Sequence, residues 1–215
     1  MIERGILFTP QNIRLVMSGA KVQTRRVINP QPTVNQFGCV LWTKNRADSQ
    51  IAAACPYGYC QPSGIHPRVY IKEGLRHGSK NNPTPSLNHV WRYALDNTPV
   101  MVEEDDKSAM LVWATHKEGD VCNALFMPKF AARTWLEITE VRVERVQDIS
   151  EEDAKAEGCS NDTDWEWRPS YGDPDSGGNP TYKRDYQELW NSINGKKHPW
   201  EENPWVFALT FRRIE

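Results

Sequence analysis

The chain is 215 residues long, with 39% hydrophobic residues, nine Trp and a formal net charge of −2, enough for one large domain or two small ones with a sizeable core. A mean hydropathy of −0.68 and the lack of a long apolar run exclude a membrane-spanning helix. The slightly acidic sum excludes a global pull toward nucleic acid and leaves that role to a local basic patch.

The start, "MIERGILFTP", lacks the basic segment, apolar core and small-residue cleavage site of a secretory signal, so the expected location is the cytoplasm, with no membrane partner. "TPQNIRLVMSG" reads as a helix: Thr9 caps it, Pro10 takes the first helical position, Gly19 marks the exit, and Ile13, Val16 and Met17 form its apolar stripe. "KVQTRRVI" then enters a strand that ends at Pro30. Residues 14–26 carry Arg14, Lys21, Arg25 and Arg26 with no acid, a candidate positive face.

Residues 37–66 hold too many Gly, Pro and polar residues for one regular element and read as an insertion. Within it "CPYGYC" raises the question of zinc, with Cys55, Cys60, His66 and His77 as ligands. The four-residue gap is loose and no second tight pair follows, so two loop thiols are the plainer reading. The five cysteines are expected to be reduced, and no metal or cofactor is expected. "RVYIKE" alternates Val69 and Ile71 against polar neighbours and reads as a strand ending at Glu73. A second insertion covers about 76–110; "HVWRYAL" inside it and "AMLVWATH" after it are expected to pair as a hairpin.

"RTWLEITEVRVERV", residues 133–146, is the clearest strand. Leu136 and Ile138 share one parity and Val141 and Val143 the other, so a β-bulge near Thr139 and Glu140 is needed for all four to face one core. A helix follows, capped by Ser150, with Glu151, Glu152 and Asp153 at its positive end and Gly158 at its exit. The third insertion, 159–180, is rich in Gly, Pro and Asp. "TYKRDYQELWNSING" is a helix with Tyr186, Leu189, Trp190 and Ile193 on one face. "PWVFALTFRRI" closes the chain as a strand with Trp205, Phe207, Leu209 and Phe211 alternating. Strands outnumber helices without alternating with them, which predicts one α+β domain over 1–215 or a small mixed barrel.

Taken together, "SGAKVQTRR", "VYIKE", "MPKFAARTWLEITEVRVERVQDISEEDAKAEG" and "NPWVFALTFRRI" resemble ASCH-domain proteins, in particular a group carried by phages and prophages. The resemblance covers both ends and the middle and omits the three insertions. It implies a PUA-like mixed β-barrel flanked by helices, whose cleft faces RNA or a modified nucleoside. In compact members that deacylate N4-acetylcytidine, a Lys and a Thr of a "GxKxxTxR" stretch act with a downstream Glu; Gly19, Lys21, Thr24 and Arg26 fit that stretch here, and Glu73 is the implied acid.

The residue chemistry is compatible. A Thr hydroxyl needs a base, Lys21 is a base when it gives up its proton, and Glu73 would orient it or shuttle a proton. Arg25 and Arg26 would hold a phosphate, and Lys129 and Arg133 beside Phe130 suit phosphate contact plus base stacking. Against this stands the plain reading of the same residues as caps, strand polar faces and solvated charge, with Glu73 paired to Arg25. Trp42, Trp91, Trp113, Trp165 and Trp167 read first as core or loop anchors. Three functions follow as expectations: binding or processing of RNA, single-stranded nucleic acid or a modified nucleoside; hydrolysis of an acyl group from N4-acylated cytidine; and docking of a host protein by the insertions, with no catalysis.

Overall fold

The computed structural model of the chain describes residues 3–34, 40–41, 67–77, 91–100, 120–160 and 181–214. The fold is α+β. Its centre is a five-stranded sheet built from β1 (Arg4–Leu7), β2 (Gln23–Val27), β5 (Arg68–Lys72), β9 (Trp135–Arg145) and β10 (Trp205–Ile214), in the order β1-β5-β9-β10-β2. β1 runs parallel to β5, and the other pairings are antiparallel. β3 (Thr33–Val34) and β4 (Val40–Leu41) form a short ribbon, while β6 (Leu75–His77), β7 (Trp91–Tyr93) and β8 (Val121–Cys122) form a second sheet ordered β7-β6-β8.

The large sheet is open: β1 and β2 are its edges, and among the described residues no ladder joins them. A closed barrel is therefore not formed. The short "RGIL" strand was absent from the sequence reading because four residues carry too little periodicity to register.

Both faces of the sheet are covered. On one, Ile6, Val69, Ile71, Leu136, Ile138, Phe207 and Leu209 pack with Ile13 and Val16 of α1 (Pro10–Ser18). On the other, Val206 packs with Ala154 of α2 (Glu151–Ala156) and with Tyr186 and Trp190 of α3 (Tyr182–Asn194). The alternation along β10 supplies both cores, since Phe207 and Leu209 point one way and Val206 the other. Ile193, expected on the buried face of α3, is 50% exposed.

The expected bulge is present. Glu140 pairs with Thr210 and Ile138 with Phe211, so Thr139 is the extra residue, and Leu136, Ile138, Val141 and Val143 all belong to one core. In the insertion at 76–110 the strand expected in "HVWRYAL" is present as β7, while "RH" at its start, outside every expected strand, belongs to β6; the two pair and, with Met127 and Ala131, bury Leu75, Trp91 and Tyr93 in a core of their own. The described strand partner of β7 is thus β6; residues 109–116 lie outside the described residues, as do Cys55, Cys60, His66, Trp42, Trp113, Trp165, Trp167 and most of the third insertion. No helix among the described residues is long and apolar enough to cross a membrane.

Helix ends set the position of β2. Thr9 accepts a hydrogen bond from the Asn12 N–H at 3.3 Å, and Gly19 leaves α1 with φ +80°. α2 ends in a Schellman motif: the Gly158 N–H donates to Lys155 O at 2.9 Å and the Cys159 N–H to Ala154 O at 3.3 Å. Gly158 has φ +87°, and a Cβ there would meet Leu15 Cδ1 at 2.9 Å and Lys21 Cβ at 3.3 Å. Gly158→Ala is predicted to cost about 1–3 kcal/mol through the left-handed backbone alone, measured as a shift of the urea midpoint at unchanged slope; a midpoint equal to wild type would contradict the tight turn.

Candidate functional site

Lys21 precedes β2, and its side chain is buried at 1% exposure. An ammonium without water must be fully bonded. Its Nζ donates to the Glu157 main-chain oxygen at 2.7 Å and to Glu157 Oε2 at 2.5 Å. The Val22 N–H donates to Ala156 O at 2.8 Å. Two consecutive residues thereby satisfy carbonyls at the end of α2, and Lys21 brings a cation to the negative end of that helix.

Arg25 extends the network. Its Nε donates to Glu144 Oε1 at 2.8 Å, one terminal nitrogen to Asp153 Oδ2 at 2.8 Å, and the other to Glu157 Oε1 at 3.2 Å and Gln23 Oε1 at 3.3 Å. Its guanidinium lies 5.7 Å from the Tyr186 ring centroid. Arg142 donates to Asp153 Oδ2 at 2.7 Å and pairs with Glu144 at 3.3 Å. Three cations, Lys21, Arg25 and Arg142, thus meet four carboxylates, Glu140, Glu144, Asp153 and Glu157.

Burial alone would lower the Arg25 pKa, but the charges of Glu157 and Glu144 outweigh it and hold it raised. Burial first, and then the Glu157 carboxylate, pushes the Tyr186 phenol well above its usual value, so it stays protonated. The same two causes push the Cys159 thiol up to about 12, which leaves it unreactive at neutral pH.

β2 distributes these groups around a free edge. The Phe211 N–H donates to Val22 O at 2.9 Å and the Ile28 N–H to Trp205 O at 3.1 Å. This register aims the main-chain groups of Thr24 and Arg26 at β10, and those of Gln23, Arg25 and Val27 outward. Side chains alternate as well: Gln23 and Arg25 reach Asp153 of α2, while Arg26 reaches the Leu7 carbonyl at 2.5 Å and lies 5.0 Å from the Phe8 ring.

A cavity of about 480 Å³ wraps this edge, between the start of α1 and α3. Its polar lining includes Lys21, Thr24, Arg25, Glu157 and Asn12; Phe8, Leu189, Trp190 and Phe207 give it apolar walls. Thr24 is 5% exposed, and no group among the described residues bonds its hydroxyl. Arg26 Nε is buried without a partner.

Lys21, Thr24, Arg25 and Arg26 therefore share one cavity, and Glu73 does not line it. The resemblance joins Glu73 to Lys21 and Thr24 in one site; in the sheet β9 and β10 separate β5, which Glu73 follows, from β2. Glu73 is 1% exposed and clasps Arg133, with Nε–Oε1 at 2.9 Å and a second bond at 2.7 Å to Oε2. Arg133 also donates to Asp96 Oδ2 at 2.7 Å and stacks 3.8 Å from the Tyr93 ring centroid, fastening the small sheet to the large one.

The phosphate roles change accordingly. Arg25, with a wholly buried side chain spent on carboxylates, is a scaffold for the cavity and has no donor left for phosphate. Arg133 is committed to Glu73 and Asp96, and Lys129 pairs with Glu3 and lies 5.6 Å from the Trp135 ring. Arg26 alone of these four lines the cavity with an unbonded donor. The acid beside Lys21 is Glu157, which the sequence reading missed because it assigned the acidic run wholly to helix capping. Asp153 and Glu157, four residues apart, fall on one helix face, and that spacing opposite Lys21 and Arg25 was the available signal.

Among the described residues no group of three or more His, Cys, Asp or Glu is set to hold a metal ion. Comparison with protein-family models, curated proteins and solved structures finds no match for this chain.

Asp153 sets the acid limit of the network. Burial opposes its ionisation, but hydrogen bonds from Arg142 and Gln23 and the charge of Arg25 prevail and lower its pKa. A carboxylate depressed in the folded state stabilises above its unfolded pKa, and that stability is lost as pH falls through the folded value. Between pH 6 and 3, the wild-type urea midpoint is expected to fall more steeply than that of Asp153→Asn, so that the gap between them, full above about pH 4, closes below it. Parallel profiles would contradict the assignment.

Proposed function

We propose that this chain binds or processes a nucleoside, free or presented by single-stranded RNA, in the cavity along the free edge of β2. The observation that carries the reading is the union of an ion-paired floor, the unbonded Thr24 hydroxyl and aromatic walls in a space of about 480 Å³. That volume lies within the range of small-molecule sites, which combine mostly apolar walls with a few convergent polar groups.

An ion-paired floor does not attract a polyphosphate. It suits a neutral heterocycle, which can stack on Phe8 or Trp190 and meet donors and acceptors that carry no net charge. The outward main-chain groups of Arg25 add such contacts, and the Arg26 guanidinium brings one positive charge to the same lining. The resemblance of "SGAKVQTRR" and "VFALTFRRI" to ASCH-domain proteins, with their PUA-like barrel, supports the same ligand class.

A second reading, amide hydrolysis on an N4-acylated cytidine, is favoured by one specific contact. Lys21, its Nζ bonded to Glu157 Oε2, lines the same cavity as Thr24. In this reading a base drawn from that pair takes the Thr24 proton while Thr24 Oγ1 attacks the acyl carbonyl. The pyrimidine amine departs with a proton, and water cleaves the resulting ester.

Ile193 lines the cavity and is half exposed, so Ile193→Trp fills the mouth without disturbing a core. By calorimetry, this variant is expected to bind cytidine and N4-acetylcytidine at least tenfold more weakly than wild type. Equal affinity, or no binding by wild type at millimolar ligand, would overturn the proposal. In the same samples, chromatographic release of cytidine and acetate that Thr24→Val abolishes would make the site hydrolytic; binding without release leaves it a binding site.

A further inference from the structure

Asn12 lines the cavity from the first turn of α1, at the third helical position, and is 7% exposed. Only its main-chain N–H has a partner, the Thr9 hydroxyl; no group among the described residues bonds the side-chain amide. The residue is out of place on propensity, because Asn disfavours helix interiors and this position usually carries a Glu or Gln that reaches back to the cap. The amide opens onto the cavity and is not among the polar groups sealed from solvent without a partner, so its bonds are free to be completed from the cavity, by water or by a ligand that displaces it. Thr24, 5% exposed, presents its hydroxyl to the same space.

The two features differ chemically. A hydroxyl rotates and adapts to either polarity, whereas a carboxamide holds one donor and one acceptor side by side in a plane. Its natural complement is a planar edge with an acceptor beside a donor, as on a nucleobase, where Asn forms paired hydrogen bonds. The N-terminal end of α1 adds a weak positive potential that favours the acceptor atom of such an edge.

We infer that Asn12 is a base-binding residue of this cavity, pairing with a nucleobase edge that carries a hydrogen-bond donor next to an acceptor. The inference rests on the nucleoside reading above. Asn12 touches the base and takes no part in bond making or breaking.

The test uses the full chain and the four ribonucleosides as probes, with affinities from calorimetry between pH 4 and 8. For the tightest-binding nucleoside, Asn12→Leu, close to isosteric and a better helix former, is expected to lose roughly 5- to 150-fold, the worth of one bidentate pair. Asn12→Asp separates reading from structure. At high pH its carboxylate offers acceptors only, and binding is expected to fall as in the Leu variant. At low pH the protonated carboxyl again sets a donor beside an acceptor, and binding is expected to recover toward wild type.

Wild-type binding that survives Asn12→Leu unchanged would overturn this inference and leave the nucleoside site standing. A loss in Asn12→Asp that is the same at every pH would overturn it too, by making the residue merely structural. Absence of wild-type binding to all four nucleosides would remove the inference together with the reading beneath it. Should the Leu variant fail to fold, the pH profile of Asn12→Asp decides alone.

Discussion

The structure depends on a buried ion pair between Lys21 and Glu157. An unpaired ammonium in a dry interior is costly enough to rearrange a fold, and here the pair joins three elements at one point. It fixes the start of β2, closes the C-terminal end of α2, and through the second carboxylate oxygen of Glu157 gathers Arg25 from the strand. α3 then packs Tyr186 beneath the same guanidinium. Remove the pair and the sheet edge, the helix end and the cavity floor lose their common reference.

The same arrangement explains how two cations of the basic stretch near the amino terminus, Lys21 and Arg25, are withdrawn from solvent. Much of the charge that reads as available in the sequence is paired within the fold, Arg25 with three carboxylates and Arg133 with two, while Lys129 stays 55% exposed beside Glu3. What reaches the cavity is a set of paired charges together with one cation, Arg26. Phosphate recognition and base recognition make opposite demands, the first for unpaired cations and the second for directional groups in an apolar frame. The cavity meets the second demand.

Much of the fold was legible in the residues because local rules acted without competition. Thr9, Pro10 and Gly19 bounded α1; the parity change between Ile138 and Val141 required the bulge at Thr139; Ser150 and Gly158 bounded α2. Long-range pairing was not legible. Nothing local distinguishes β5 as a neighbour of β9 from β5 as a neighbour of β2, and so Glu73 was set beside Thr24 when its partner is Arg133. Nor does the sequence separate a carboxylate that caps a helix from one that also faces inward. Asp153 does both, with its N–H on Ser150 and its side chain on Arg25, Gln23 and Arg142. Asn12 was passed over for a related reason: its polar side chain reads as solvated until the fold buries it.

The central claim is that Lys21 and Glu157 act as one unit, and a double-mutant cycle in urea measures this directly. Lys21→Met and Glu157→Gln would each be compared with wild type and with the double variant by their unfolding free energies. The account predicts that each single change costs about 3 kcal/mol or more and that the double costs far less than their sum, a coupling of about 2–3 kcal/mol. Additive losses would show two independent residues and contradict it.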